Sequence, residues 1–204
     1  LITPVTKGKS SRGMRYEVLI RLTEKDGSIV PPSAFLPAAE RFGIVSRIDR
    51  WVIAEVIRRL SENPTHLEAL DACHINLSGC SFDQADFTDF VVDHVQRHKL
   101  PGHKLCFEIT ETAAVRNLVD VQAFMARLAS LGCTFALDDF GAGLSSFRYL
   151  RQLPVDCLKI DGSFVLDMVT DKTDAAMVKA INDIGQTLGK ITIAEYVETP
   201  EISA

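Results

Sequence analysis

The 204-residue sequence has no stretch near the ~18 consecutive apolar residues that a membrane-spanning helix needs, and no basic segment leads into an apolar one at its start. It has no lysine or arginine run either: 22 basic against 27 acidic residues leave a formal charge of -5, without an electrostatic footprint for polymeric nucleic acid. Any nucleotide ligand is therefore expected to be small. CxxC pairs and an HExxH helix are missing, and His66, His74, His94, His98 and His103 show no zinc-ligand spacing, which disfavours soft-metal chemistry. The five cysteines are an odd number, and Cys73, Cys106, Cys133 and Cys157 fall in or at the start of apolar segments, so reduced packing residues are expected. Linkers, low-complexity tracts and internal repeats are also lacking, which makes a single domain over residues 1–204 the economical reading. These absences describe a cytoplasmic domain of a longer protein, one that could be membrane-anchored through regions outside this sequence.

What is present is a composition able to form a core, 47% apolar, in which strand-length apolar runs alternate with helical patterns. That alternation is the sequence sign of βα units and a parallel sheet. Strands are expected at 14–22, 73–78, 104–110, 133–139, 155–161 and 190–197. Between them, Ser46 and Asp49 have capping-box spacing ahead of Ile48, Val52, Val56 and Leu60, and Asn117 precedes Leu118, Val121, Met125 and Leu128, with Gly132 past the end. A further helix carries Val178, Ile181, Ile184 and Leu188 and stops at Gly189. Phe87, Phe90, Phe124 and Met125 are read as core.

The apolar strand segments end in groups that are costly to bury singly: Glu17, Asn76, Glu108 with Glu111, Asp138 with Asp139, Lys159 with Asp161, and Glu195 with Glu198. Such a set at strand ends points to convergence on a hard cation and a phosphate. Strand alternation places Glu17, Leu19 and Arg21 on one face, Lys159 with Asp161 on another, and Glu195 with Ile191 and Ile193 on a third. An open doubly wound sheet gathers its ligands near one switch point, whereas polar groups on most strands favour the mouth of a (β/α) barrel. Six strands fall short of the eight of such a barrel, so the chain reads as trimmed at both ends.

Taken together and in order, Tyr16-Glu17-Val18-Leu19-Ile20-Arg21, Ile75-Asn76-Leu77-Ser78, Glu108-Ile109-Thr110-Glu111-Thr112, the stretch from Asp138-Asp139-Phe140-Gly141 to Ser146-Phe147, Leu158-Lys159-Ile160-Asp161-Gly162 and Ala194-Glu195-Tyr196-Val197-Glu198 resemble the EAL domain family. Members of that family are cyclic di-GMP phosphodiesterases of bacterial second-messenger signalling. The resemblance implies a modified TIM-like (β/α) barrel with an antiparallel first strand, lacking here most of that strand and the last βα unit. It implies hydrolysis of cyclic di-GMP to linear pGpG with Mg2+ or Mn2+ in a two-ion site. Glu17, Asn76, Glu108 and Asp138 would hold one ion, and Asp138 would bridge to a second also held by Asp139. Lys159 would orient or polarise the attacking water. Glu195 would bind metal or metal-bound water and assist proton removal. Leu19 and Arg21 would contact substrate, and Glu111 would anchor the loop at Gly141–Gly143. A homodimer, with sensory or diguanylate cyclase-like domains upstream in the full protein, is also implied.

The rival readings are a catalytically inactive cyclic di-GMP receptor or protein-interaction module, an ion pair between Glu17 and Arg21, a turn-forming Asn76, a solvated Lys159, and Asp161 as a helix cap. Degenerate binders usually lack one or more of the metal carboxylates, and here all are present. Two departures from the family pattern stand out: Glu-Val-Leu replaces Glu-Ala-Leu, and Tyr196 stands where many members have glycine. Strand alternation turns Tyr196 away from Glu195, which would make its effect one of packing.

Overall fold

The computed structural model describes residues 2–4, 13–143 and 147–203, with only the backbone described at 2–4, 147 and 148. Leu1, Val5 and the Leu144, Ser145 and Ser146 of the long Asp-Asp-Phe-Gly motif lie outside the described residues. Two compact units are formed, one from Leu1–Phe107 with Val119–Thr134, the other from Glu108–Leu118 with Phe135–Ala204.

In the first unit strand β1 (Ile2–Pro4) pairs antiparallel with β2 (Met14–Val18), which pairs in parallel with β5 (Leu70–Leu77). Strand β6 (Leu105–Thr110) follows β5 in the sheet order. A separate hairpin joins β3 (Leu22–Thr23) to β4 (Ile29–Val30). The expected strand over 14–22 is therefore broken. The ladder ends at Val18, and the chain resumes in the hairpin, whose turn uses Gly27 at φ 87° and the Asp26 carboxylate accepting from the Ser28 N–H. Glu17, Leu19 and Arg21 consequently do not share one strand face. Helices α1 (Pro32–Arg41), α2 (Val45–Ser61), α3 (Pro64–Ala69), α4 (Phe87–Arg97) and α6 (Leu118–Ala129) accompany these strands.

The core of this unit is aromatic at its centre. Phe87, Phe107 and Phe124 are fully buried beside Phe82, with ring centroids 5.3–6.0 Å apart in edge and stacked contacts. Met125 is buried as expected, but Phe90 is only half-buried and lies under the Arg50 guanidinium. Strand β5 is buried on both faces except near its end, as parallel strands covered on both sides are. Helix α6 closes as anticipated at Gly132, φ 88°, through a Schellman pair: Cys133 N–H to Leu128 and Gly132 N–H to Ala129.

Asp49 does not form the expected capping box. Helix α2 begins at Val45, and the Asp49 carboxylate instead accepts hydrogen bonds from the Ser78 N–H (2.8 Å) and the Ser81 hydroxyl (2.6 Å), tying α2 to the turn after β5. A buried carboxylate with neutral donors only is poorly compensated, and burial pushes Asp49 up to about 6. Because the folded value lies above the unfolded one, the protonated form stabilises the fold below about pH 4, and this is lost as the pH rises through 6. The ionised carboxylate then costs about 3 kcal/mol. Asp49→Asn keeps an acceptor without the charge, so its stability relative to the parent is expected to rise by up to ~3 kcal/mol between pH 4 and 7.5 in urea denaturation. A stability difference that stays flat with pH would contradict this.

The second unit contains the C-terminal half of β6 and, in order beyond it, β7 (Thr134–Phe140), β8 (Cys157–Ile160) and β9 (Ile191–Ala194), with β7, β8 and β9 paired in parallel. Its helices are α5 (Glu111–Arg116), α7 (Phe147–Leu150), α8 (Gly162–Asp167), α9 (Lys172–Thr187) and α10 (Pro200–Ser203). β8 is shorter than the expected 155–161, and Asp156 just before it accepts from the Phe135 N–H through its carboxylate. Helix α9 ends at Gly189, as read from the sequence. Leu158, Ile160, Phe140, Val165 and Ile181 form this core. The cysteines form no disulfide, and Cys73, Cys106, Cys133 and Cys157 are buried while Cys80 is exposed.

Candidate active site

Adjacent strand residues ordinarily point to opposite faces, so Asp138 and Asp139 should diverge. They do not. Asp139 has φ 52°, and the β7–β8 register gains a residue between Leu137 and Phe140, opposite Leu158 and Ile160. This bulge with a left-handed residue re-aims the second carboxylate. Oxygens of Asp138, Asp139 and Glu195 lie within 4.8 Å of one another. A left-handed non-glycine residue costs of order 1–3 kcal/mol, and such strain collects at functional sites.

Beside these three, Lys159 is 3% exposed and its ammonium meets three carboxylates: Glu108 at 2.7 Å, Asp138 at 2.9 Å and Glu195 at 2.9 Å. It is not a solvated charge. Glu108 comes from β6 and is 1% exposed, so β6, β7, β8 and the end of β9 each supply one member of the group. One ammonium thus meets three carboxylates, with the Asp139 carboxylate beside two of them. Burial pushes Asp138 up to about 7, opposed by Lys159 and reinforced by Glu108 and Glu195. Burial likewise raises Glu195 and Asp139, the latter helped by the charge of Asp161. Asp138 Oδ1 is buried and lies 2.9 Å from the Lys159 ammonium, which it shares with Glu108 and Glu195.

The remaining predicted residues fall as follows. In the first unit Asn76, at the exposed end of β5, donates its amide to Glu17 Oε1 at 2.6 Å. Leu19 and Arg21 follow the end of β2, and the Arg21 guanidinium donates to the Ile20 carbonyl at 2.8 Å. In the second unit Glu111 is buried at the first position of α5, whose N-cap is Thr110, and it accepts from the Gly141 N–H at 3.2 Å. Asp161 caps α8 through the Ser163 N–H, and Glu198 is exposed beyond β9. The left-handed backbone at Asp139 and the hydrogen-bond role of Asp49 were not read from sequence. An acid doublet directly before Phe-Gly was the only hint of the first.

The EAL domain family model matches residues 3–203. The chain belongs to the EAL domain family. It is 42% identical over 196 residues to the cyclic di-GMP phosphodiesterase PdeB of Shewanella oneidensis, covering 96% of this chain and 23% of that protein. It spans about a quarter of the length of the curated relatives it matches. Among solved structures, the FimX EAL domain from Pseudomonas aeruginosa bound to c-di-GMP is similar at TM-score 0.90 and 31% identity, over 99% of this chain and 81% of that one. The PaMucR phosphodiesterase in its c-di-GMP complex is similar at TM-score 0.87 and 32% identity, over 99% and 82%. The fold is thus the TIM-like α/β fold of EAL domains, and the antiparallel pairing of β1 with β2 agrees with the antiparallel first strand expected from the family.

The EAL cluster fits a divalent ion on its own chemistry. Its donors are hard oxygens, carboxylates outnumber the single cation, and that cation is shared among three of them. Lys159→Met removes the internal cation and leaves Glu108, Asp138 and Glu195 buried together. In EDTA the variant is expected to lose about 3–5 kcal/mol. Added Mn2+ or Mg2+ is expected to raise its melting temperature more than that of the parent protein, in thermal denaturation with and without the ion. Equal responses would show that the carboxylates do not share a cation.

Proposed function

We propose that residues 1–204 are a single, partial EAL domain whose full-length parent protein hydrolyses cyclic di-GMP to linear pGpG with Mg2+ or Mn2+. The supporting observation is the cluster in which Glu108, Asp138 and Glu195 meet one buried lysine while oxygens of Asp138, Asp139 and Glu195 lie within 4.8 Å of one another. Complete retention of the acidic set favours turnover over a receptor that only binds. Asp138, Asp139 and Glu195 would hold the ions with Glu108, and the ions supply water activation and charge neutralisation at phosphorus when bound.

The chain's own residues have separable tasks. Lys159, held by three carboxylates, has a fixed position from which it would orient a water or a phosphate oxygen. Glu195 is half-buried, and burial raises its proton affinity, which suits it to receive a proton from water. The reaction adds the water oxygen to phosphorus, breaks the P–O3′ bond, and returns a proton to the leaving 3′ oxygen. The family resemblance assigns Glu17 and Asn76 as further oxygen ligands. It assigns Arg21, whose planar fork suits phosphate oxygens, and Leu19 to the substrate. Glu111 holds the Gly141 amide and is assigned to anchor that loop. A cytoplasmic location, a homodimer and upstream sensory or cyclase-like domains complete the proposal for the whole protein.

With Mg2+ or Mn2+ the full-length protein is expected to convert cyclic di-GMP to the linear dinucleotide, resolved by chromatography, and Glu17→Ala is expected to lower kcat by at least ~100-fold. Undiminished turnover in Glu17→Ala would remove Glu17 from the ligand set. Binding of cyclic di-GMP without product formation would favour the receptor reading instead.

A further inference from the structure

Tyr196 is anomalous in three respects. Its φ is 53°, a conformation that a bulky side chain rarely adopts and glycine adopts freely. It directly follows Glu195, a member of the carboxylate cluster, yet 61% of it is exposed. Its ring crosses from the end of β9 to the end of β8: a Cβ built on Gly162 would lie 2.2 Å from Tyr196 Cδ2 and 3.0 Å from Cγ. One side of the ring is therefore seated on a glycine that only a missing side chain makes available, next to Asp161 and two residues beyond Ile160. The strand alternation that would have turned Tyr196 away from Glu195 does not apply, because β9 ends at Ala194 and the left-handed turn intervenes.

A packing role alone does not account for this. A buried packing residue would repay the backbone strain with burial, and Tyr196 stays mostly in solvent. A flat, rigid aromatic ring seated against Gly162, 61% exposed as a residue and next in sequence to a member of the carboxylate cluster, has the form of a stacking platform for a base. We propose that Tyr196 is a specificity-determining residue on whose open ring face a purine base of the cyclic dinucleotide stacks. This inference rests on the cyclic di-GMP reading above. The interaction is made to the base and not to the reacting phosphate, so it acts on binding in ground and transition state alike, and appears in KM more than in kcat.

The test uses the full-length protein loaded with Ca2+ and calorimetry with cyclic di-GMP and, as a weakly stacking comparison, cyclic di-UMP. Tyr196→Phe is expected to bind cyclic di-GMP within about twofold of the parent, whereas Tyr196→Gly is expected to bind it about 10-fold more weakly. The preference for cyclic di-GMP over cyclic di-UMP is expected to shrink in the glycine variant. In turnover with Mn2+ the loss is expected in KM, with kcat changed by less than about threefold. Thermal denaturation of Tyr196→Gly guards against misfolding, since glycine relieves the backbone at this position and its melting temperature should not fall. Gly162→Ala, which unseats the ring without removing it, is expected to weaken binding in the same direction. Unchanged affinity in Tyr196→Gly, or a matching loss for both dinucleotides, would overturn the stacking role. Failure of the unsubstituted protein to bind cyclic di-GMP would overturn the functional reading beneath it.

Discussion

The arrangement of the second unit depends on one buried ammonium. Lys159 is 3% exposed, and an isolated charge at that depth would carry a desolvation cost of several kcal/mol. Contacts to Glu108, Asp138 and Glu195 offset that cost, and each comes from a different strand or strand end. The ends of β6, β7, β8 and β9 are thereby held around one point by electrostatics as well as by their sheet pairing. The same contacts leave an excess of negative charge, which burial expresses as raised proton affinities at Asp138, Asp139 and Glu195. The fold thus balances one lysine against an acid set that it cannot neutralise alone. That imbalance is the driving force for taking up a divalent cation, and a better-balanced site would bind one less strongly.

Backbone conformation decides what the sequence cannot express through residue type. In a regular strand Asp138 and Asp139 would straddle the sheet, one carboxylate on each face. The extra residue in the β7 register and the positive φ of Asp139 convert a doublet into a pair of carboxylates whose oxygens approach Glu195. Glu111 adds a support immediately downstream, since it accepts the amide of Gly141, where φ is 107°. The strained turn is therefore held from α5, an element that begins directly after the strand bearing Glu108.

Much of this was legible from residues alone. Apolar runs ending in acids, at spacings of one βα unit, correctly indicated β5 to β9 and the second unit's cluster, because burying carboxylates without a reason is too costly to recur by chance. What was not legible depends on hydrogen bonding that has no periodic signature. The 14–22 segment is apolar and alternating, yet it breaks after Val18, where an Asx turn at Asp26 and a left-handed Gly27 make a separate hairpin cheaper than a longer ladder. Asp49 has capping-box spacing from Ser46 and still spends its carboxylate on Ser78 and Ser81, because those donors are brought to it by tertiary packing. Phe90 follows the helical stripe of α4 but sits under Arg50, which covers the ring without enclosing it.

Asp139 and Tyr196 share a physical logic that separates them from the other residues at strand ends. Both are left-handed without being glycine, and both adjoin or belong to the carboxylate cluster. Lys99, the third such residue, closes helix α4, where its N–H reaches Gln96 and the next N–H reaches Val95, so local hydrogen bonds account for its conformation. No comparable helix end explains the other two. Their strain has to be met by the surrounding structure: at Asp139 by the bulge and the Glu111 anchor that follows it, at Tyr196 by the seat on Gly162. Strain that packing sustains at a site of chemistry, and that a glycine would remove, is retained only if the side chain itself does something there. At Asp139 the side chain brings its oxygen to within 4.8 Å of Asp138 and Glu195. By the same reasoning, the aromatic face of Tyr196 is part of the site and not a decoration on its edge.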